Sequence, residues 1–276
     1  MFENRQVSII NLYHTAIQDA DTETIRELLA EAAEYNESIL QDHIRLQDPF
    51  TKETGGYNET DYYEMLNVDG TEVMAYISIP CIDVYLPVYH GTSETVLETG
   101  IGHLEGSSLP IGGESTHAVL TGHTGLSGAK LFTDLMLLEA GDIFIITIPG
   151  GKLAYEVDQI KVAEPEDTSD LAIVEGKDYV TLLTCTPYGI NTHRLLVRGH
   201  RTEYKEEMEE GTAAENKTDS SEWMRQYRRS ACFSLILIAA AFLAMSVRWK
   251  HSAALFQPKL KASVSPDDCN LPERTI

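Results

Sequence analysis

Cysteine is scarce in this chain, with four in 276 residues. Cys232 and Cys269 fall in a C-terminal apolar run and the tail beyond it, which leaves Cys81 and Cys185 for the folded part. Two thiols do not make a disulfide framework. No His, Cys and Asp cluster has zinc-ligand spacing, and no glycine-rich loop has P-loop or dinucleotide spacing, so neither a metal nor a cofactor is expected. Positive charge is also short. Residues 1–222 carry 13 Lys and Arg against 40 Asp and Glu, a net charge of −27, while the remaining residues carry +5. Such an acidic body repels polyphosphate, which excludes nucleic acid as a partner. A leader is missing too: Met1-Phe2-Glu3-Asn4-Arg5 shows no basic n-region followed by an apolar stretch.

What is present concentrates at residues 181–201, TLLTCTPYGINTHRLLVRGHR. Cys185 ends an apolar, β-branched run, a Pro187-Tyr188-Gly189 turn follows, and a second strand-like run starts at Arg194. A tight connection makes two such strands antiparallel neighbours, so Cys185 and Arg194 are expected to face each other. That sets a thiol nucleophile beside a fixed cation suited to an oxyanion. The plainer reading is a small buried hydrophobe, the usual fate of a free cysteine.

A thiol mechanism needs an acid/base partner, and nine histidines are available. His123 follows a short apolar strand in Ala118-Val-Leu-Thr-Gly-His-Thr-Gly125. The flanking glycines allow a tight turn that leaves the imidazole beside a cleft. His103 and His117 are expected to be ordinary surface or loop histidines. His193 precedes Arg194 and would point to the opposite face of a strand.

These segments resemble one family. TLLTCTPYGINTHRLLVRG is similar to the TLxTC signature of the sortases, and HLEGSSLPIGGESTHAVLTGHTGL resembles the histidine-bearing segment of class C, the pilin-polymerising branch. The likeness runs from about Tyr57 to Arg201, through DTSDLAIVEGKDYV. It implies Cys185 as nucleophile, His123 as acid/base and Arg194 as the oxyanion and substrate-positioning group. It also implies cleavage of an LPxTG-like sorting signal between Thr and Gly, a thioacyl enzyme, and transfer to a Lys amine of another pilin subunit. Calcium assists some other sortases, but no ligand set for it is visible.

Upstream, Ile25, Leu28, Leu29, Ala32, Tyr35, Ile39, Leu40 and His43 recur at helical spacing, predicting an amphipathic helix over about 22–46. Asp21 or Thr22 would cap it, and it must stop before Leu46-Gln-Asp-Pro-Phe50. By itself Asp48-Pro49-Phe50 reads as a helix stop. The resemblance implies instead a lid, with Asp48 on Arg194 and Phe50 over Cys185. It further implies an apolar segment upstream of Met1, so the natural N-terminus is expected to lie there.

The middle of the chain reads as β, with strands over Val73–Pro80, Ile82–Tyr89, Ala118–Thr121, Asp142–Pro149, Leu153–Val162, Tyr179–Cys185 and Arg194–Arg201. Short helices are expected at Phe132–Leu138 and after Asp167. Such a pattern gives a barrel or sandwich, and the resemblance implies the closed eight-stranded sortase barrel, mainly β. The expected organisation is N-terminal helices and lid over 1–56, the catalytic barrel over 57–202 and an acidic spacer over 203–224. A transmembrane anchor over 225–250 and a cytoplasmic tail over 251–276 complete it. The anchor rests on the apolar run Ala231–Val247, with Arg225, Arg228 and Arg229 before it and Arg248 and Lys250 after it. It would meet membrane lipid and leave the catalytic domain outside the cell. A housekeeping sortase using a peptidoglycan amine and a capped, non-catalytic scaffold remain as alternatives.

Overall fold

The computed structural model describes residues 2–42, 46–50, 60–68, 70, 73–126 and 128–210. The predicted anchor, the tail and most of the spacer lie outside the described residues. Among the described residues no helix is long and apolar enough to cross a membrane.

Two helices lead the chain, α1 (Phe2–Asp19) and α2 (Thr22–Asp42). Asp21 caps α2, its carboxylate accepting from the Thr24 amide at 2.8 Å, which satisfies one of the free first-turn donors. The predicted apolar stripe faces inward at Ala32 and Ile39, both buried. Asn36 breaks that stripe for a reason: its amide both donates to the Leu109 carbonyl (3.2 Å) and accepts from the Leu109 amide (2.6 Å). Tyr13 of α1 donates to the Met74 carbonyl at 2.6 Å. Both helices are thereby tied to the sheet.

The sheet has eight strands: β1 (Val73–Ile79), β2 (Val84–His90), β3 (Ile101–His103), β4 (Thr116–Thr121), β5 (Ile143–Ile148), β6 (Gly151–Ala163), β7 (Asp178–Thr186) and β8 (His193–Thr202). They close into a barrel in the order β1-β2-β3-β4-β7-β8-β6-β5. Closure removes the exposed edges of an open sheet. Two neighbour pairs, β2 with β3 and β4 with β7, are parallel. The barrel interior takes alternate residues of each strand, such as Ala118 and Leu120 of β4, Val180 and Leu182 of β7, and Leu195 and Val197 of β8.

Sequence patterning misses β3 and the preceding α3 (Glu94–Thr99). β3 is three residues long with Gly102 at its centre, too short to show alternation. The expected helices at 132–138 and after Asp167 shrink to single 3-10 turns at Leu135–Leu137 and Ser169–Leu171. His103 and His117 also correct the expectation, since both lie on strands and are buried. His103 donates from Nε2 to the Ser108 carbonyl (2.9 Å) and accepts at Nδ1 from Tyr62 (2.8 Å). His117 bridges the Ala172 carbonyl and the Thr181 hydroxyl. Buried polar rings persist because every ring nitrogen has a partner.

Candidate active site

The site forms where β4, β7 and β8 lie side by side. Register pairs Cys185 of β7 directly with Arg194 of β8, so both side chains leave the sheet on one face. On the same outer face lie Val119, Leu183 and Leu196, in an apolar cluster with Leu104, Ala163 and Leu171. This cluster floors a groove leading away from Cys185.

His123 reaches the site through the parallel partner strand. Thr121 of β4 is level with Leu183 of β7, and the Gly122 amide donates to the Leu183 carbonyl at 3.1 Å. The Thr184 hydroxyl, next to the nucleophile, donates to the Gly122 carbonyl at 2.6 Å. Farther along, the His123 carbonyl accepts from the Phe132 amide. Gly122 is required by crowding: a Cβ there would sit 2.7 Å from Ile101 and 2.8 Å from Phe132. Gly125 is required by conformation, with φ near +73° and the Tyr188 ring against it. The imidazole itself is half-buried. His193 points away and pairs with Glu164 at 3.2 Å.

The short turn between β7 and β8 fixes Arg194. The Pro187 carbonyl accepts from the amides of both Ile190 and Asn191. The carbonyls of Asn191 and His193 then take Arg194 Nη1 at 3.1 and 3.0 Å. The other face of the guanidinium meets Asp48, Nε to Oδ1 at 2.7 Å and Nη2 to Oδ2 at 2.6 Å. Phe50 stacks on His123 with ring centroids 5.4 Å apart and lies 5.1 Å from the Arg194 guanidinium carbon. Leu46 and Phe50 pack against the groove floor, and Thr168 donates to the Leu46 carbonyl at 3.2 Å. The predicted trio of Cys185, His123 and Arg194 thus shares one end of the barrel, and Asp48, Pro49 and Phe50 lie with it. Past Leu46 a cavity of about 820 Å³ opens between the end of α2 and the β6–β7 loop, with Glu166, Asp167 and Glu175 in its wall.

Electrostatics correct one expectation. Arg194 does favour the thiolate, but burial opposes it more strongly and the Asp48 carboxylate adds to the opposition, so the Cys185 thiol is pushed up to about 11. Burial also lowers the pKa of His123. In this arrangement the pair rests as neutral thiol and neutral imidazole. Sequence reasoning missed Thr184, Asn191 and Phe132 as supports, because each acts through one hydrogen bond whose partner only the fold reveals. Among the described residues no group of three or more His, Cys, Asp or Glu is placed to hold a metal.

Comparison with known proteins gives a consistent answer. The sortase domain family model matches residues 77–202. Sortase C-1 of Streptococcus pneumoniae is 50% identical at a TM-score of 0.67, covering 72% of this chain and 100% of that one. Sortase C1 of Group B Streptococcus pilus island 1 is 48% identical at a TM-score of 0.67, covering 73% and 94%. Sortase D of Bacillus subtilis is 31% identical over 128 residues, which is 45% of this chain. The chain spans 62% of the length of that curated relative. By fold, motif order and identity over almost the whole of its solved relatives, this chain belongs to the sortase family of cysteine transpeptidases, in its class C branch.

Proposed function

We propose that the chain is a pilus-assembling transpeptidase acting on an LPxTG-like sorting signal, closed at rest by the segment Asp48-Pro49-Phe50. The observation that carries this reading is the direct register of Cys185 with Arg194 at the strand ends, beside His123 and beneath Phe50. When the segment leaves, Arg194 exchanges Asp48 for substrate. Cys185 gives its proton to His123 and attacks the Thr carbonyl carbon. Charge on the carbonyl oxygen is met by the freed Nε and Nη2 of Arg194, a charge-assisted pair of donors already held in orientation by the turn. The C–N bond to Gly breaks as His123 returns the proton to the departing amine, leaving a thioester on Cys185. A Lys amine of a second pilin then attacks the thioester. Its proton passes to His123, the thiolate leaves, and an isopeptide bond remains.

The acidic body and the apolar run Ala231–Val247 with its basic flanks support an extracellular catalytic domain held at the membrane. The test is acyl trapping on the full chain with an LPxTG-type peptide, read by mass spectrometry with and without Asp48→Ala. An adduct on Cys185 that grows in the variant is expected. No adduct on folded protein of either kind would leave the scaffold alternative standing. Offering a Lys-bearing pilin peptide or a wall peptide to the acyl enzyme separates pilus assembly from wall anchoring.

A further inference from the structure

We propose that the hydroxyl of Thr121 is a substrate-contacting group, which hydrogen-bonds a main-chain polar atom of the sorting peptide once the lid has left the groove. The proposal rests on the transpeptidase reading above and assigns a role in it to a residue outside the catalytic trio.

Thr121 is the last residue of β4 and is fully buried. Its Oγ1 has no hydrogen-bond partner among the described residues, an uncommon state for a buried hydroxyl. Strand alternation fixes its direction. Ala118 and Leu120 belong to the barrel interior and Val119 to the outer cluster, so Thr121 shares the outer face with Val119. Its register partners agree. Leu183 of β7, level with Thr121, lies in the outer cluster. On its other side is Gly102 of β3, a position where any Cβ would collide with the Gly91 carbonyl. Thr121 therefore stands in the groove floor, two residues before His123 and beside the strand that carries Cys185.

The side chains that cover this floor are those of Leu46 and Phe50. Neither side chain offers a polar atom, so the closed lid takes the hydroxyl from water and gives nothing back. An extended peptide in the same groove presents an amide or carbonyl at every residue, and a hydroxyl both donates and accepts. Thr121 thus weakens the closed state and strengthens the peptide-bound one. One group serves two ends, ease of lid release and recognition of main chain instead of an apolar side chain.

The test places Thr121→Val, which keeps the shape and removes the oxygen, and Thr121→Ser, which keeps the oxygen, in an Asp48→Ala background. Acylation by an LPxTG-type peptide and alkylation of Cys185 by a small thiol reagent are measured in parallel. The expected result is that Val lowers kcat/KM for acylation roughly tenfold, the scale of one neutral hydrogen bond, and leaves alkylation unchanged. Ser should recover most of the loss. With Asp48 intact, Val should also raise the thermal midpoint, because the uncompensated hydroxyl is gone. Equal kcat/KM for Thr and Val, equal losses for Val and Ser, or a midpoint that Val leaves unchanged or lower would each overturn the proposal. Failure of Asp48→Ala itself to take up an acyl group, while its thiol alkylates normally, would instead overturn the transpeptidase reading and this proposal with it.

Discussion

Asp48 and Arg194 are 146 residues apart in the chain, yet they meet through two parallel hydrogen bonds with only 5% and 9% of their side chains exposed. A bidentate carboxylate–guanidinium pair is strong and directional. Burial raises the stakes, because taking away one partner strands the other charge in a dry site. The same guanidinium faces Cys185 across the hairpin. The contact that closes the lid is therefore also the one that occupies the oxyanion donors.

Removing Asp48 should open the groove. The ion pair and the Phe50 ring together contribute about 1–4 kcal/mol before ordering entropy is subtracted. The closed population then exceeds the open one by roughly tenfold or more. Asp48→Ala is expected to raise the rate of Cys185 alkylation by at least that factor, followed by intact mass. An unchanged rate would show that the segment does not close the site.

The pH dependence of that alkylation should shift as well. In the closed arrangement burial holds the thiol at about 11, with Asp48 working against Arg194. Deleting Asp48 removes a neighbour that disfavours the thiolate, leaves Arg194 unopposed and admits water. All three changes move the thiol downward. A rate–pH curve for Asp48→Ala should therefore rise at lower pH than the curve for the unaltered chain. Superimposable midpoints, or a shift to higher pH, would contradict this account of the thiol.

Asn36 offers a test of how the lead-in helix supports the groove. Its side chain satisfies both main-chain groups of Leu109, and Asn36→Ala leaves that buried amide and carbonyl unpaired. The expected loss is about 2–4 kcal/mol, seen as a lower urea midpoint with unchanged slope. Ser38→Ala, on the exposed face of the same helix, should be close to neutral.

Much of this molecule was legible from sequence because its signals are local. The strand on either side of Pro187-Tyr188-Gly189 sets Cys185 opposite Arg194 by hairpin geometry alone. The helical spacing of Ala32 and Ile39 marks the face that docks. Other features were hidden because their cause lies across space. β3 is too short for any pattern and exists because β2 and β4 flank it. His103 and His117 look like loop residues until Tyr62, Ser108, Ala172 and Thr181 supply partners for their rings. The state of the thiol was misjudged from its neighbour Arg194, since desolvation by the lid depends on residues far upstream.

Those two histidines predict an acid-sensitive fold. Burial lowers each imidazole from 6.5 to about 4, so between those values the unfolded chain binds protons that the folded chain refuses. Their contribution to stability is complete above about pH 6.5 and is lost as pH falls toward 4, up to roughly 3 kcal/mol per ring. Urea midpoints measured from pH 7.5 down to 4.5 should fall steadily. His103→Asn should flatten the curve while lowering it at neutral pH.

Thr184 provides the sharpest test of how the site is assembled. Its hydroxyl donates to the Gly122 carbonyl at 2.6 Å, joining the strand that carries the nucleophile to the turn that carries His123. Without that bond a buried carbonyl is unpaired, and the turn is held from β7 only by the Gly122 amide on Leu183. Small displacements of an acid/base group cost large factors in rate. In an Asp48→Ala background, Thr184→Val is expected to lower kcat for peptide cleavage about 10- to 100-fold, with KM little changed. Alkylation of Cys185 does not need His123 to be aligned with a leaving amine, so it should stay near the parent rate. Thr184→Ser should restore kcat. Loss of alkylation in parallel with kcat would mean that Thr184 shapes the nucleophile's own strand, not the distance between the two catalytic groups.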